Sequence, residues 1–158
     1  MEYIATKFEL PAHWVGADIK SKAKISEYLH YHHTHLRNGY GAFFKTFFAD
    51  LENPNVDTEL QAIEDALKHI ETHSLKNSKL IGGDEVSIAD LQICAELNQS
   101  AAGRLLHDLF DFPKTAVLMS EVSKLPGFKV VFKELTEFSE SLPPVKSAQV
   151  TIRGNREI

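Results

Sequence analysis

The chain has 158 residues, which suits one domain of ordinary size and excludes a second full domain. Hydrophobic residues make up 43%, charged residues 25%, and mean hydropathy is -0.21, a composition typical of a folded globular protein rather than a disordered or membrane-spanning one. The net charge of -5 offers no basic surface for nucleic acid or an anionic membrane. A single cysteine excludes an internal disulfide and every multi-cysteine zinc pattern. With no targeting segment expected, the predicted location is the cytoplasm.

The first residues predict the last turns of a helix. Tyr3, Ile4 and Phe8 fall at helical spacing, and Leu10 followed by Pro11 breaks the pattern. Residues 11–16 are then expected to form a linker.

The next apolar pattern predicts one long helix. Its apolar positions lie mostly three or four residues apart: Ile25, Tyr28, Leu29, Leu36, Tyr40, Phe43, Phe44, Phe47 and Phe48. Gly39 and Gly41 lie inside it, and a helical glycine costs about 1 kcal/mol relative to alanine. Either the helix kinks there, or a helix or a ligand packs close to its backbone.

Three further helices are predicted along the chain. Asp57 is a plausible N-cap for an amphipathic helix, Pro113 opens another, and Phe128 belongs to a third that follows Pro126 and Gly127. Pro143 and Pro144 end regular structure, and only residues 150–152 suggest a strand.

The sharpest local signal is the sequence from Val86 to Leu91. We expect the Ser87 hydroxyl to accept from the Asp90 amide, while the Asp90 carboxylate accepts from the Ser87 amide; both are therefore predicted as structural N-cap residues rather than parts of a catalytic triad. The helix that follows is apolar on more than one face, which indicates burial on several sides. The predicted fold class is all-α, a bundle of about five helices around a buried central helix.

These residues resemble the C-terminal helical domain of a glutathione S-transferase, with the theta class closest in texture. The matching segments are residues 24–29, 33–37, Gly82, 87–91, Glu96 with Leu97, and Pro113. The resemblance implies that residues 1–15 are the remnant of a thioredoxin-like domain helix with its linker. It further implies that residues 16–142 form the helical domain, with residues 143–158 as a polar tail.

In this family the thioredoxin-like domain binds glutathione and the helical domain supplies a wall for the electrophile. The resemblance therefore implies no cofactor, and no catalytic residue can be located in this chain. Glutathione would be the co-substrate and hydrophobic electrophiles the partners if the thioredoxin-like domain were supplied. A homodimer or a protein complex is expected, with no nucleic acid and no membrane partner.

The resemblance also points to three substrate-binding residues on the first long helix. Arg37 matches an arginine that faces the active-site cleft of theta enzymes, and Tyr40 and Phe44 follow on the same helix face. The alternative stays open that the aromatic side chains belong to the core and that Arg37 is paired at the surface.

Four histidines crowd the same region: His30, His32, His33 and His35. Pairs three residues apart could present two imidazoles to a metal, but no third ligand is evident, so no metal site is predicted. His33 is expected to be the structural member, and Cys94 a buried apolar side chain.

Two functions remain open from the sequence. The chain is either the electrophile-binding helical half of a theta-like glutathione transferase, inactive alone, or a non-catalytic helical module for protein interactions. An exposed face around Tyr3, Phe8, Tyr40 and Phe44 is expected to make the chain associate with itself or with a partner.

Overall fold

The computed structural model describes residues 1–49, 55–102 and 112–141, and this part of the chain is helical without strands. The prediction of an all-α fold is confirmed. The α-helices are α1 (Glu2–Lys7), α2 (Ile19–Thr34), α3 (Leu36–Ala49), α4 (Asp57–His69), α5 (Ile88–Ala102), α6 (Pro113–Ser123) and α7 (Phe128–Ser141). A 3₁₀ turn (Ala12–Trp14) precedes α2, and a π-helical turn (Ile70–Ser74) follows α4. The predicted polar tail, 143–158, and the suggested strand within it lie outside the described residues.

The short helix α1 lies at the start of the chain, as predicted, and buries only Ala5. The linker after it is anchored by a hydrogen bond between His13 Nδ1 and the Val86 carbonyl, 2.8 Å apart. Gly16 ends the linker at φ +101°, and a Cβ on it would lie 2.5 Å from the Lys22 amide nitrogen, so both conformation and space require glycine here. The proposed division between residues 1–15 and 16–142 stays a prediction.

The predicted long helix is two helices, α2 and α3. α2 begins with a capping box in which Asp18 accepts from the Ser21 amide at 2.8 Å and the Ser21 hydroxyl accepts from the Asp18 amide at 3.0 Å. The break comes at His35, whose φ of -121° and ψ of -78° leave helical geometry. The break is therefore not at the glycines. Gly39 instead admits α4, because a Cβ there would lie 3.1 Å from Ile63 Cγ1.

The helix α4 begins at Asp57 itself, so the expectation that Asp57 is its N-cap is wrong by one position. Val56 precedes the helix and supplies no side-chain cap. The following π-helical turn instead caps another element: Glu71 accepts from the amides of Lys114 and Thr115 at the start of α6, at 2.8 and 2.9 Å. The first amides of α6 thus obtain their acceptor from a distant part of the sequence.

The helix α5 is the central one, as predicted, and contacts α2, α3, α6 and α7. Its buried apolar side chains join a single core cluster with those of α2, α3, α4 and α6. The members that α5 contributes are Ile88, Ala89, Ile93, Cys94 and Leu97. In the described ranges no helix has the length and apolarity needed to cross a bilayer.

Candidate functional site

The candidate site lies where the start of α3 meets α5. Arg37 Nε is 2.7 Å from Glu96 Oε2, and the two side chains differ sharply in exposure, 52% for Arg37 against 3% for Glu96. A buried carboxylate is stable only when charge or hydrogen-bond donors face it. Arg37 is therefore paired, as one of the sequence alternatives allowed, but with a buried partner rather than at the surface.

A second side chain reaches the same carboxylate oxygen from α2. His32 is fully buried, and its Nε2 lies 3.2 Å from Glu96 Oε2, while its Nδ1 lies 3.1 Å from the Tyr28 hydroxyl. Burial, with the Glu96 charge as the next cause, raises the pKa of Tyr28 well above its ordinary value, so the phenol stays protonated. The hydrogen bond between the Tyr28 hydroxyl and Nδ1 holds the His32 ring in place beside Glu96.

The contacts of Arg37 and His32 with Glu96 Oε2 have the distances of ion pairs but not the alignment of hydrogen bonds. His32 Nε2 and Glu96 Oε2 are both buried without a hydrogen-bond partner among the described residues. The short distances and the missing alignment are compatible, because Coulomb attraction depends on separation whereas a hydrogen bond also depends on angle. Glu96 is thus held by charge and leaves part of its hydrogen-bonding capacity unused.

The two aromatic residues predicted beside Arg37 belong to the core side of α3. Tyr40 is 1% exposed, and Phe44 is partly buried, its ring centroid 6.5 Å from that of Tyr40. The expectation that Tyr40 is part of an exposed face is wrong, because α3 turns this side toward the core cluster. The wall role stays a prediction for Arg37 and Phe44, and Tyr40 offers a ligand almost no surface.

A cavity of about 510 Å³ lies between α1 and the α2–α5 contact. Its lining residues are Met1, Glu2, Tyr3, Leu29, His30, His33, Ile88 and Gln92. Gln92 precedes Glu96 by four residues on α5, so Glu96 lies one helical turn beyond the cavity along that helix. On α1, Tyr3 is 71% exposed, and Phe8 after it is 65% exposed. The predicted exposed face is therefore confirmed for Tyr3 and Phe8.

The histidine cluster divides differently from the prediction. His32 is the buried, structural member and His33 is exposed, so the assignment of His33 to that role is wrong. His35 stacks on Tyr31 at a ring-centroid distance of 4.2 Å, and Tyr31 stacks on His69 at 4.3 Å. Within residues 1–49, 55–102 and 112–141, no three His, Cys, Asp or Glu side chains are grouped to hold a metal ion.

The predicted capping residues lie together at the start of α5. Asp90 Oδ2 accepts from the Ser87 amide at 2.8 Å, the half of the box that the sequence assigned to the carboxylate. The Ser87 hydroxyl donates to the same oxygen at 2.6 Å, and the Ile81 amide donates to Asp90 Oδ1 at 2.8 Å. Burial nevertheless raises the pKa of Asp90. Ser87 therefore acts here as a donor to Asp90, and its role as the cap of α5 stays a prediction.

Cys94 has no features of a nucleophile. It is fully buried, and burial raises the pKa of its thiol to about 12. The thiolate, which is the reactive form, is therefore scarce at neutral pH.

Sequence reasoning missed Glu96 and His32 as the partners of Arg37. One signal was available for Glu96: it is a lone acid between Ile93, Cys94 and Leu97 on a helix that is otherwise apolar on several faces. For His32 the sequence held no distinguishing signal, because four histidines share the segment.

No protein-family model matches the chain, but individual proteins do. It is 29% identical over 141 residues to a dichloromethane dehalogenase of Methylorubrum extorquens, covering 82% of this chain and 49% of that protein. It is 30% identical over 104 residues to glutathione S-transferase theta-1 of Gallus gallus, covering 61% of this chain and 40% of that protein. The chain thus spans about half the length, or less, of these relatives.

Solved structures show the same fold. Human glutathione S-transferase T1-1 in its apo form aligns with a TM-score of 0.76 at 23% identity, over 92% of this chain and 64% of that one. Human glutathione transferase theta-2, in complex with glutathione and an unknown ligand, aligns with a TM-score of 0.75 at 23% identity, over 90% and 64%. The resemblance to the helical domain of theta-class glutathione S-transferases is confirmed in sequence and in fold.

Proposed function

We propose that this chain is the helical half of a theta-like glutathione transferase. In this function it forms one wall of the pocket for a hydrophobic electrophile, and glutathione is bound by a thioredoxin-like domain outside these 158 residues. The observation that carries the proposal is the similarity to theta-class relatives over most of this chain but only about half of theirs.

The geometry around Arg37 supports the wall. A guanidinium whose Nε edge is held by a buried carboxylate keeps a fixed position, yet half of the side chain remains accessible. The 510 Å³ cavity, one helical turn of α5 before Glu96, supplies space, and the exposed apolar side chains of α1 supply a surface for a neighbouring domain. Arg37 and Phe44 are the residues assigned to the electrophile.

The chemistry of conjugation explains why the helical half is inactive alone. The thiol of glutathione must be held as a thiolate by an aligned donor in a water-poor pocket. The described residues offer no such arrangement: Cys94 and Tyr28 are buried, and their raised pKa values keep both protonated. The proposed co-substrate is therefore glutathione bound outside these 158 residues.

The test compares this chain alone with a fusion that places the thioredoxin-like domain of the chicken theta-1 relative before it. Dichloromethane and a standard aryl halide are the electrophiles, the former because one relative is named a dichloromethane dehalogenase. The chain alone should neither bind immobilised glutathione nor form conjugate, whereas the fusion should do both. Conjugation by the chain alone, or a folded fusion that binds glutathione without conjugating either electrophile, would overturn the proposal.

A matched pair of variants in the fusion tests the wall. Arg37→Gln should raise the KM for the electrophile several-fold, because the group removed faces the ligand. Lys45→Gln, two turns further along α3 at an exposed position, should leave KM unchanged. Equal effects of the two substitutions would remove Arg37 from the site.

A second candidate is a non-catalytic interaction module, which the exposed side chains of Tyr3 and Phe8 also favour. Light scattering separates the candidates when combined with the fusion assay. A module should associate with itself or with a partner through α1 and lose that association in a Tyr3→Ser, Phe8→Ser double variant, while the fusion stays inactive. An active fusion would reject this candidate.

A further inference from the structure

We propose that Glu96 is the positioning residue for Arg37. Its carboxylate holds the Nε edge of the guanidinium inward, and the remaining N–H groups are thereby presented at the surface. This inference rests on the proposed function, in which Arg37 faces the electrophile.

The two side chains of the pair differ in burial. Glu96 is 3% exposed and Arg37 is 52% exposed, with 2.7 Å between Oε2 and Nε. The guanidinium is planar and rigid, so fixing its Nε edge against a buried atom points the opposite edge outward. An unheld arginine on a helix surface would sample many rotamers and would present no fixed donor edge.

His32 approaches the same oxygen from α2, with its Nε2 3.2 Å from Glu96 Oε2 and its Nδ1 3.1 Å from the Tyr28 hydroxyl. Arg37 is the nearer of the two partners, at 2.7 Å, and a guanidinium is always charged in proteins. Arg37 is therefore the permanent cation beside Glu96.

Stability alone explains the pairing of Arg37 with Glu96 poorly. A buried carboxylate without an aligned hydrogen bond is a costly way to join α3 to α5, and apolar side chains of similar volume commonly do this at least as well. The feature that an apolar replacement cannot reproduce is a fixed orientation of Arg37.

The experiment is NMR spectroscopy of the Arg37 Nε–H group in the chain itself, measuring its hydrogen exchange and its ¹⁵N relaxation. Glu96→Gln should accelerate exchange about tenfold and lower the order of the guanidinium, because the Coulomb attraction that holds its Nε edge inward is lost. His32→Gln is the matched control: it removes the other partner of Glu96 and should leave Arg37 exchange within about twofold of the wild type. Glu96→Asp, which is one methylene shorter, replaces Glu96→Gln if that variant fails to fold.

Two results would overturn the inference. One is an Arg37 signal that is unchanged by the Glu96 substitutions. The other is an equal change in His32→Gln, which would mean that Arg37 responds only to general loss of packing. An inactive fusion with a well-ordered Arg37 would instead reject the proposed function and leave the positioning role standing, so the two failures are distinguishable.

Discussion

Two buried carboxylates lie six residues apart on α5, and their surroundings differ completely. Asp90 is 0% exposed and accepts three hydrogen bonds, from the amides of Ile81 and Ser87 and from the Ser87 hydroxyl. Glu96 is almost as buried, but its Oε2 has two ion-pair contacts and no aligned hydrogen bond. The partners of Asp90 are all buried, whereas Glu96 connects the interior to a half-exposed arginine.

The difference indicates that Asp90 stabilises the fold, whereas the proposed role of Glu96 is to orient a side chain at the surface. A carboxylate satisfied by neighbouring backbone donors fixes local structure, because its loss strands several donors at once. A carboxylate whose main partner is exposed leaves little stranded when its charge is removed, since Arg37 can then be solvated.

The largest effect is expected for Asp90→Ala. The substitution removes the acceptor of two backbone amides and one hydroxyl, and the free energy of unfolding should fall by about 2–4 kcal/mol. Urea denaturation measures this loss of free energy. Asp90→Asn is the milder variant, because its side-chain amide keeps one acceptor oxygen. An unchanged unfolding midpoint would contradict the structural role of Asp90.

Ser87→Ala should cost less than the loss of Asp90. It removes the hydroxyl that donates at 2.6 Å but keeps the Ser87 amide bond to the carboxylate, so a loss of about 1 kcal/mol is expected. In Asp90→Ala the same serine substitution should cost much less, because its acceptor is already absent. Full additivity of the two changes in denaturation experiments would show that they act independently.

Glu96→Gln should lower stability by less than about 1 kcal/mol. The amide keeps the volume and an acceptor oxygen, and the arginine left behind has access to solvent. Urea denaturation of Glu96→Gln and Asp90→Asn, measured side by side, shows which substitution lowers the free energy of unfolding more. A larger loss for Glu96→Gln than for Asp90→Asn would make Glu96 the structural carboxylate and reverse the comparison.

The smallest effect concerns pH and a third region, the stack of Tyr31 with His35 and His69. Burial, followed by the charges of His73 and His35, lowers the pKa of His69 from 6.5. The unfolded chain then binds more protons than the folded one just below pH 6.5, so stability should decrease as the pH falls from 6.5 through the folded pKa.

The comparison of His69→Gln with the exposed control His30→Gln isolates this contribution. Thermal unfolding between pH 7.5 and 5.5 should show a shallower acid loss in His69→Gln and an unchanged one in His30→Gln. If the wild type and both variants lost stability with the same dependence on pH, His69 would not be the cause. At both ends of this pH range Asp90→Asn should cost more stability than Glu96→Gln.

The fold was predictable where one local rule decides the outcome. The apolar periodicity gave the helices, and the box from Ser87 to Asp90 marked the start of the buried helix correctly. The break at His35 was missed because apolar spacing continues across it. Gly39 was the candidate for a break, since glycine disfavours a helix interior, but it lies inside the continuous helix α3. Its true role depends on Ile63 of α4, which no local pattern could supply.

The site was predictable only in part, since its partners are distant in sequence. The resemblance identified Arg37, but Glu96 is 59 residues away and His32 is one of four neighbouring histidines. The burial of Tyr40 follows from which face of α3 meets α4 and α5, a tertiary property. Spacing placed Arg37, Tyr40 and Phe44 near one helix face, and packing separated them.

The contrast between the two carboxylates can be tested in one pair of variants, Asp90→Asn and Glu96→Gln, by measuring both unfolding free energy and Arg37 Nε–H exchange. Asp90→Asn should lower stability and leave the exchange rate near that of the wild type. Glu96→Gln should nearly preserve stability and accelerate exchange about tenfold. If stability and exchange changed together in both variants, the two carboxylates would have the same role, and the assignment of Glu96 to Arg37 would be wrong.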